Sequence, residues 1–171
     1  RRSAFQIGAA LSLSILVAVV LIRFGDTISL LGDWGYLGIF VIQVMNSATI
    51  ILPAPGHAYT FAIAASLSPL LVGLIGGFGS GLGELTGYAL GVGGRDILAG
   101  GRLYGRMLAL AERRGGGIAL FLFAALPVPF DVAGIWAGTT RYPIRRFLVY
   151  VIMGKIVKVT GIALIGFYSV P

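Results

Sequence analysis

The sequence predicts an all-α integral membrane protein with three full transmembrane helices, two opposed re-entrant helical hairpins and one basic amphipathic helix. Of its 171 residues, 57% are hydrophobic and 11% are charged, against about 25% charged in soluble domains. Residues 3–22 and 34–83 carry no formal charge, and a bilayer core needs about 20 apolar residues. Leu-Pro-x-Pro strings at 52–55 and 126–129 interrupt apolar stretches and predict the two hairpins.

Three apolar stretches, residues 4–22, 70–92 and 147–168, predict the full crossings. The first follows two arginines, as a signal peptide does. It is nearly as long as a full span and lacks a small-residue cleavage pattern, so it predicts an anchored helix. We interpret residues 1–171 as a single membrane domain.

The hairpins are predicted at residues 36–66 and 116–139. A proline pair removes backbone donors and clashes with the preceding turn, so it ends a helix. The arms of the second hairpin are too short to cross, whereas residues 36–52 are long enough either to cross or to form a re-entrant arm. Paired breaks in two halves are typical of transporters built from inverted repeats. The predicted tips comprise Pro53, Pro55, Gly56, Pro127 and Pro129.

The basic residues predict the orientation of the chain. Residues 95–114 alternate arginines with leucines, which is typical of an amphipathic helix on a membrane surface, although the same segment is also compatible with a homo-oligomer contact. With three crossings and two hairpins, Arg1, Arg2 and the loops 95–114 and 141–146 fall on one side. Lys and Arg accumulate in cytoplasmic loops, so we expect that side to be cytoplasmic.

Several classes of function are disfavoured by composition. The chain has no cysteine and one histidine, which excludes disulfides and thiol catalysis and disfavours a metal site. The net charge of +7 is explained by cytoplasmic loops rather than by nucleic-acid binding. No nucleophile triad or phosphate-binding glycine loop is present. We therefore expect no cofactor and no enzyme activity.

Charged residues inside the predicted spans are the first candidates for a functional site. Glu84 lies within the second span, and Lys155 and Lys158 lie near the middle of the last, three residues apart and therefore on one helix face. Each such charge costs about 2.5–3.5 kcal/mol at a helix centre, so it is paired or functional by default. Pairing of a lysine with Glu84 or Asp131 offsets this cost and leaves ammonium groups available to a phosphate. Snorkelling of the lysines to the interface is the structural alternative.

His57 and Asp131 hold corresponding places after the two breaks. Asp131 is interpreted either as the N-cap of a short helix or as part of a polar site at the hairpin tip. His57 titrates near neutral pH and is therefore a candidate for proton relay, with a hydrogen-bonded structural role as the alternative.

A glycine-rich face accompanies Glu84 along its helix. Small residues allow another backbone to approach closely, so a packing role is predicted for Gly83, Gly87, Tyr88 and Gly91.

Taken in order, these pieces resemble the DedA superfamily, also called the VTT or SNARE-associated domain, over roughly residues 30–168. The chain lacks two arginines that many members carry around the second hairpin, at Ala124 and Phe130, and His57 stands in place of an acid. It is therefore similar to a divergent branch. The resemblance is carried by Pro53–Gly56, Gly83-Glu84, Gly87-Tyr88, Gly91, Pro127–Asp131, Ala137-Gly138, Phe147, Gly154-Lys155 and Lys158.

The resemblance implies a lipid transporter or scramblase in a prokaryotic plasma membrane. Family members are associated with undecaprenyl phosphate, phospholipids and the proton-motive force, and the functional acids carry over to Glu84 and Asp131. The leading hypothesis is movement of a phosphate-headed lipid across the bilayer, coupled to protons, with anionic lipids as partners. The alternatives are a proton- or cation-coupled small-solute transporter and a non-transporting scaffold. The predicted site comprises Glu84, Asp131, Lys155, Lys158 and His57.

Overall fold

The computed structural model describes residues 33–48, 56–95, 109, 115–126 and 130–169. The predicted first span, nearly all of the basic segment at 95–114 and the four tip prolines lie outside these residues. The elements that are described are all helices. They are α1 (Asp33–Ala48), α2 (Gly56–Ile63), α3 (Pro69–Gly83), α4 (Leu85–Gly93), α5 (Gly115–Ala125), α6 (Asp131–Thr139) and α7 (Ile144–Ser169).

Within the described ranges, two helical stretches are long and apolar enough to cross a membrane. One is α7, with 26 residues, and the other is the 25-residue stretch Pro69–Gly93, in which α3 and α4 follow each other through a single turn residue, Glu84. At about 1.5 Å per residue each exceeds 35 Å, more than the hydrocarbon thickness of about 30 Å. Both begin beside a proline, Pro69 or Pro143, where the missing N–H is not needed.

Glycines bring α3 and α7 into close contact. A Cβ placed on Gly73, Gly77 or Gly81 would collide with Thr160, Ile156 or Ile152, respectively. As the residue number rises along α3 it falls along α7, so the two helices are antiparallel. Glycines four residues apart leave a flat stripe on which another backbone can rest, and this stripe fixes the register of α3 against α7.

Helices α1 and α2, which flank the first Leu-Pro-x-Pro string, are antiparallel. Gly38 leaves room for Tyr59, and Gly56 leaves room for Asn46, so the contacts run in opposite order along the two helices. The chain therefore reverses direction between Ala48 and Gly56. Of these two helices, α1 packs on α3 and α2 packs on α7.

The second hairpin segment repeats this arrangement, since α5 packs on α7 and α6 packs on α4. Individual contacts recur at the 74-residue spacing of the prolines. Gln43 contacts Gly76 just as Gly117 contacts Tyr150, with the large and small residues exchanged. The two halves of the described chain are thus built alike, as the doubled Leu-Pro-x-Pro strings suggest.

The symmetry that relates the halves has a definite direction. The backbone carbonyl of Phe61 abuts Gly166, and the carbonyl of Ile135 abuts Gly91, at spacings of 74 and 75 residues. The equivalent long helices α3–α4 and α7 are antiparallel. The approximate two-fold axis that exchanges them therefore runs perpendicular to both helices.

Two apolar clusters stabilise opposite ends of the bundle. One includes Phe130, Phe147 and Val151, and the other includes Ile39, Val72 and Ala163. Along α7 both lysines fall between Val151 and Ala163, so the charged residues lie in a layer between the two clusters.

Candidate functional site

Glu84 lies at the junction of α3 and α4, next to the crossing of the two long helices. The helical hydrogen bonding continues through it, because the Tyr88 N–H donates to the Glu84 carbonyl at 3.1 Å. The residue before it must be small, since a Cβ on Gly83 would collide with the Val44 carbonyl on α1. The Glu84 side chain is 2% exposed and is therefore removed from solvent and from lipid.

The partner of Glu84 is Lys155 on α7. The Lys155 Nζ donates to Glu84 Oε1 at 2.5 Å, and Lys155 is itself only 5% exposed. Side chains on a helix lean toward its N-terminus. Because α3 and α7 are antiparallel, the Glu84 and Lys155 side chains lean toward each other, and this brings Nζ within hydrogen-bonding distance of the carboxylate. The expected pairing of a mid-span lysine with an acid is thus formed by Lys155 and Glu84.

An aromatic ring covers the other side of this lysine. Lys155 Nζ lies 5.2 Å from the centre of the Phe130 ring, within the range of a cation–π interaction. Phe130 packs in turn on Phe147, and Phe147 on Tyr88, with ring centres 6.4 Å and 5.0 Å apart. Phe130 therefore helps to hold a cation in this chain.

A second polar group, which the sequence patterns did not single out, lies between α1, α2 and α3. Gln43 Nε2 donates to Thr60 Oγ1 at 2.7 Å, and the Thr60 hydroxyl donates to the Gly56 carbonyl at 2.8 Å. The Ser47 and Ser80 hydroxyls are 2.6 Å apart. Two signals pointed to this group: Gln43 and Ser47 are four residues apart on one face of an apolar helix, and Ser80 precedes Glu84 by the same interval.

Two oxygen atoms in this region are buried without a hydrogen-bond partner among the described residues, namely Gln43 Oε1 and Glu84 Oε2. The amide orientation of Gln43 is fixed, because Thr60 uses its hydroxyl hydrogen for Gly56 and can only accept from Nε2. An unsatisfied buried acceptor costs about 1–3 kcal/mol. The arrangement therefore favours water or another donor at both oxygens.

The remaining predicted site residues lie around the ion pair. Glu84 interacts electrostatically with Asp131 and Lys158 as well as with Lys155, and His57 interacts with both lysines. His57 is exposed on the first turn of α2, whereas Asp131 and Lys158 are half-buried. Each of the five predicted residues thus interacts electrostatically with at least one other member of the predicted site.

The expectation that Asp131 caps a helix is wrong. It is the first residue of α6, whose N-cap is Phe130, and no side chain forms a cap hydrogen bond there. Phe130 has helical backbone angles at that position, so the helix starts without the extended residue that a side-chain cap requires. A carboxylate in the first turn still interacts favourably with the helix dipole.

The predicted packing residues divide among several neighbours. Gly83 faces α1, whereas Gly87 meets Gly134 and Gly91 meets Ile135, both on α6. The Tyr88 hydroxyl donates to the Tyr142 carbonyl at 2.8 Å. Close contacts on more than one side of α3–α4 explain why its glycines do not form a single stripe.

Comparison with known proteins identifies one family. A family model described as the VTT domain matches residues 54–168. Comparisons with curated proteins and with solved structures give no match. The matched region contains Glu84, Lys155, Lys158, Asp131 and His57. No group of three or more His, Cys, Asp or Glu residues in the described part of the chain is placed to hold a metal ion.

Proposed function

This chain belongs to the VTT-domain family, and from that premise we propose that it moves a phosphate-headed lipid across the bilayer. The observation that carries this proposal is the buried Lys155–Glu84 pair at the crossing of the two membrane-length helices. This pair lies near the middle of the bilayer. There, charged side chains of both signs replace the water that a polar headgroup loses as it crosses the membrane.

The membrane arrangement that goes with this function has three crossings and two opposed hairpins. The stretch 69–93 and α7 cross fully, and the third crossing is the apolar segment 4–22. The approximate two-fold axis, perpendicular to the long helices, then lies in the membrane plane, as in transporters with inverted repeats.

Arginines give this arrangement a sidedness. Arg95 follows α4 and Arg145 begins α7, and because the two long helices are antiparallel these residues lie at the same end of the bundle. Residues 63–69 and 166–169, at the other end, carry no Lys or Arg. By the positive-inside rule the arginine end is cytoplasmic.

The energetics favour a functional role for the ion pair over a structural one. Insertion of Glu84 and Lys155 costs about 2.5–3.5 kcal/mol each at a helix centre. Replacement of a buried ion pair by apolar residues is often neutral or stabilising, so packing alone does not require these charges. Lys158, half-buried on the next turn of α7, adds an ammonium that is suited to a phosphate oxygen.

The two unsatisfied oxygens support coupling to protons. Glu84 Oε2 and Gln43 Oε1 are acceptors in a polar region that also holds Ser47 and Ser80. Water bridging such groups supplies a path along which a proton reaches or leaves Glu84.

The test is reconstitution of the purified full chain into phosphatidylcholine vesicles. Transfer between leaflets is measured for labelled polyprenyl phosphate, phosphatidic acid and phosphatidylcholine, with and without a pH gradient. We expect transfer of the two phosphate-headed lipids, slow transfer of phosphatidylcholine, and acceleration by the gradient. Equal transfer of all three lipids, or none, would contradict the proposal. A proton flux that requires a soluble solute would instead indicate a small-solute transporter.

A further inference from the structure

The internal repeat places a basic residue in one half of the chain opposite an acidic residue in the other half. At the 74-residue spacing His57 corresponds to Asp131, and Glu84 corresponds to Lys158. The helix that carries His57 packs on α7, which carries Lys158, and the helix that carries Asp131 packs on α4, which Glu84 precedes directly. The symmetry therefore relates a basic pair, His57 and Lys158, to an acidic pair, Asp131 and Glu84.

The two pairs are displaced in opposite directions along the long helices. The contacts of Gly73 with Thr160, Gly77 with Ile156 and Gly81 with Ile152 centre the crossing of α3 and α7 near Gly77 and Ile156. Glu84 is seven residues beyond that centre along α3–α4 and Lys158 is two residues beyond it along α7, which corresponds to about 10 Å and about 3 Å at a rise of 1.5 Å. Because the helices are antiparallel, these displacements point to opposite ends of the bundle.

The contacts of the short helices extend this separation. Phe61 abuts Gly166 near the end of α7, and Ile135 abuts Gly91 near the end of α4. The α2 helix, with His57, thus lies toward the end formed by residues 63–69 and 166–169. The α6 helix, with Asp131, lies toward the end at which Arg95 and Arg145 are found.

The basic pair forms no direct ion pair with a carboxylate among the residues that the structure describes, although Glu84 and Asp131 act on Lys158 at longer range. Glu84 is held by Lys155, and neither His57 nor Lys158 forms an ion pair with a described carboxylate. Lys158 is only two residues from the middle of the 26-residue α7, where an uncompensated ammonium is costly. It is half-buried, whereas His57 is exposed, so an anion can reach this pair without breaking the Lys155–Glu84 contact.

We propose that His57 and Lys158 form a phosphomonoester-binding half-site that opens toward the end of the bundle formed by residues 63–69 and 166–169, with Asp131 and Glu84 as its acidic counterpart at the other end. The inference rests on the proposed function and adds to it the place where the headgroup binds first. A phosphate that binds the Lys158 ammonium and accepts a hydrogen bond from the His57 imidazole enters from that side, and the acids of the other half favour its departure. Lys155, near the crossing, lies between the two half-sites.

Thiol labelling tests the inference, because the natural chain has no cysteine. Ala58→Cys and Val132→Cys are equivalent positions beside His57 and Asp131, and both leave the four charged residues intact. Ser169→Cys and Arg145→Cys mark the two ends of α7. The full-length variants are placed in phosphatidylcholine vesicles with unequal protein orientation and are treated with a membrane-impermeant maleimide, before and after permeabilisation.

We expect the fraction of Ala58→Cys labelled from outside to follow that of Ser169→Cys, and the fraction of Val132→Cys to follow that of Arg145→Cys. Phosphatidic acid in the vesicles should slow labelling of Ala58→Cys about tenfold, the effect of one or two charge-assisted hydrogen bonds, and should leave Val132→Cys unchanged. Lys158→Gln should remove this protection, and Lys158→Arg should keep it. Inorganic phosphate is tested separately, to distinguish a lipid headgroup from a free anion.

The outcomes separate the half-site from the proposed function, because lipid transfer is measured on the same vesicles. Protection by phosphatidic acid assigns the half-site to a headgroup, and protection by inorganic phosphate alone assigns it to a soluble phosphate. No labelling of Ala58→Cys, labelling from the arginine side, or no protection would overturn the half-site, even if lipid transfer continues. Protection without any transfer would keep the half-site and overturn the transport function.

Discussion

Lys155 on α7 and Glu84 between α3 and α4 form an ion pair, with Nζ and Oε1 2.5 Å apart and both side chains almost fully buried. Removing one partner leaves an uncompensated buried charge, which costs about 3–5 kcal/mol. We expect Lys155→Met and Glu84→Met each to lower the unfolding temperature markedly. The double variant should return close to the wild-type value. Thermal unfolding in detergent measures this, and a double variant as unstable as either single one would contradict it.

Phe130 should stabilise the protein partly through Lys155. Loss of a buried cation–π contact costs about 1–2 kcal/mol, so we expect Phe130→Leu to lower the unfolding temperature. The same substitution in a Lys155→Met background should cost less, because no cation remains. Phe123→Leu is the matched control, since that ring is about half exposed. An identical cost of Phe130→Leu in both backgrounds would show that only ring packing is involved.

The glycine stripe of α3 should be intolerant of a methyl group. A Cβ on Gly77 would collide with the backbone of Ile156, so Gly77→Ala should force α3 and α7 apart and cost at least about 2 kcal/mol. Gly161→Ala is the control within α7, because a Cβ there meets nothing within 4 Å. That variant should be neutral or more stable by roughly 0.5–1 kcal/mol. Similar stabilities of the two variants would contradict the close crossing.

Gln43 should matter more for activity than for stability. Its Oε1 is buried without a partner, and Thr60 keeps its hydrogen bond to the Gly56 carbonyl when Gln43 is absent. Gln43→Leu should therefore leave the unfolding temperature unchanged or higher. It should also weaken the acceleration of lipid transfer by a pH gradient. Gln43→Leu with normal acceleration would exclude a role of this amide in the proton path.

Much of the bundle was predictable from the sequence. Three prolines recur at one spacing, since Pro53, Pro55 and Pro69 correspond to Pro127, Pro129 and Pro143. The first two prolines of each set interrupt a helix and the third stands at the start of one, so the two halves can be recognised from the sequence alone. The two long helices of the described chain match the predicted spans because apolar length is a direct requirement of the bilayer.

The contacts within the site were harder to predict from the sequence, because they depend on the register of α3 against α7. Opposite charges in two spans predict an ion pair, but the choice of Lys155 over Lys158 depends on how Gly77 and Gly81 set α3 against α7. The contact of Phe130 with Lys155 depends on the same packing. The interpretation of Asp131 as a cap was wrong, since α6 already includes Asp131 and its N-cap is Phe130, which has helical backbone angles. Local sequence does not specify those angles.

The buried ion pair is proposed to serve lipid transfer and not merely the fold. The most direct test is the rate at which the Glu84→Met/Lys155→Met double variant transfers labelled polyprenyl phosphate in phosphatidylcholine vesicles. We expect a rate at least about tenfold below wild type, corresponding to a loss of about 1.4 kcal/mol or more of barrier stabilisation, with an unfolding temperature close to wild type. A double variant that is stable and transfers the lipid at the wild-type rate would contradict the account.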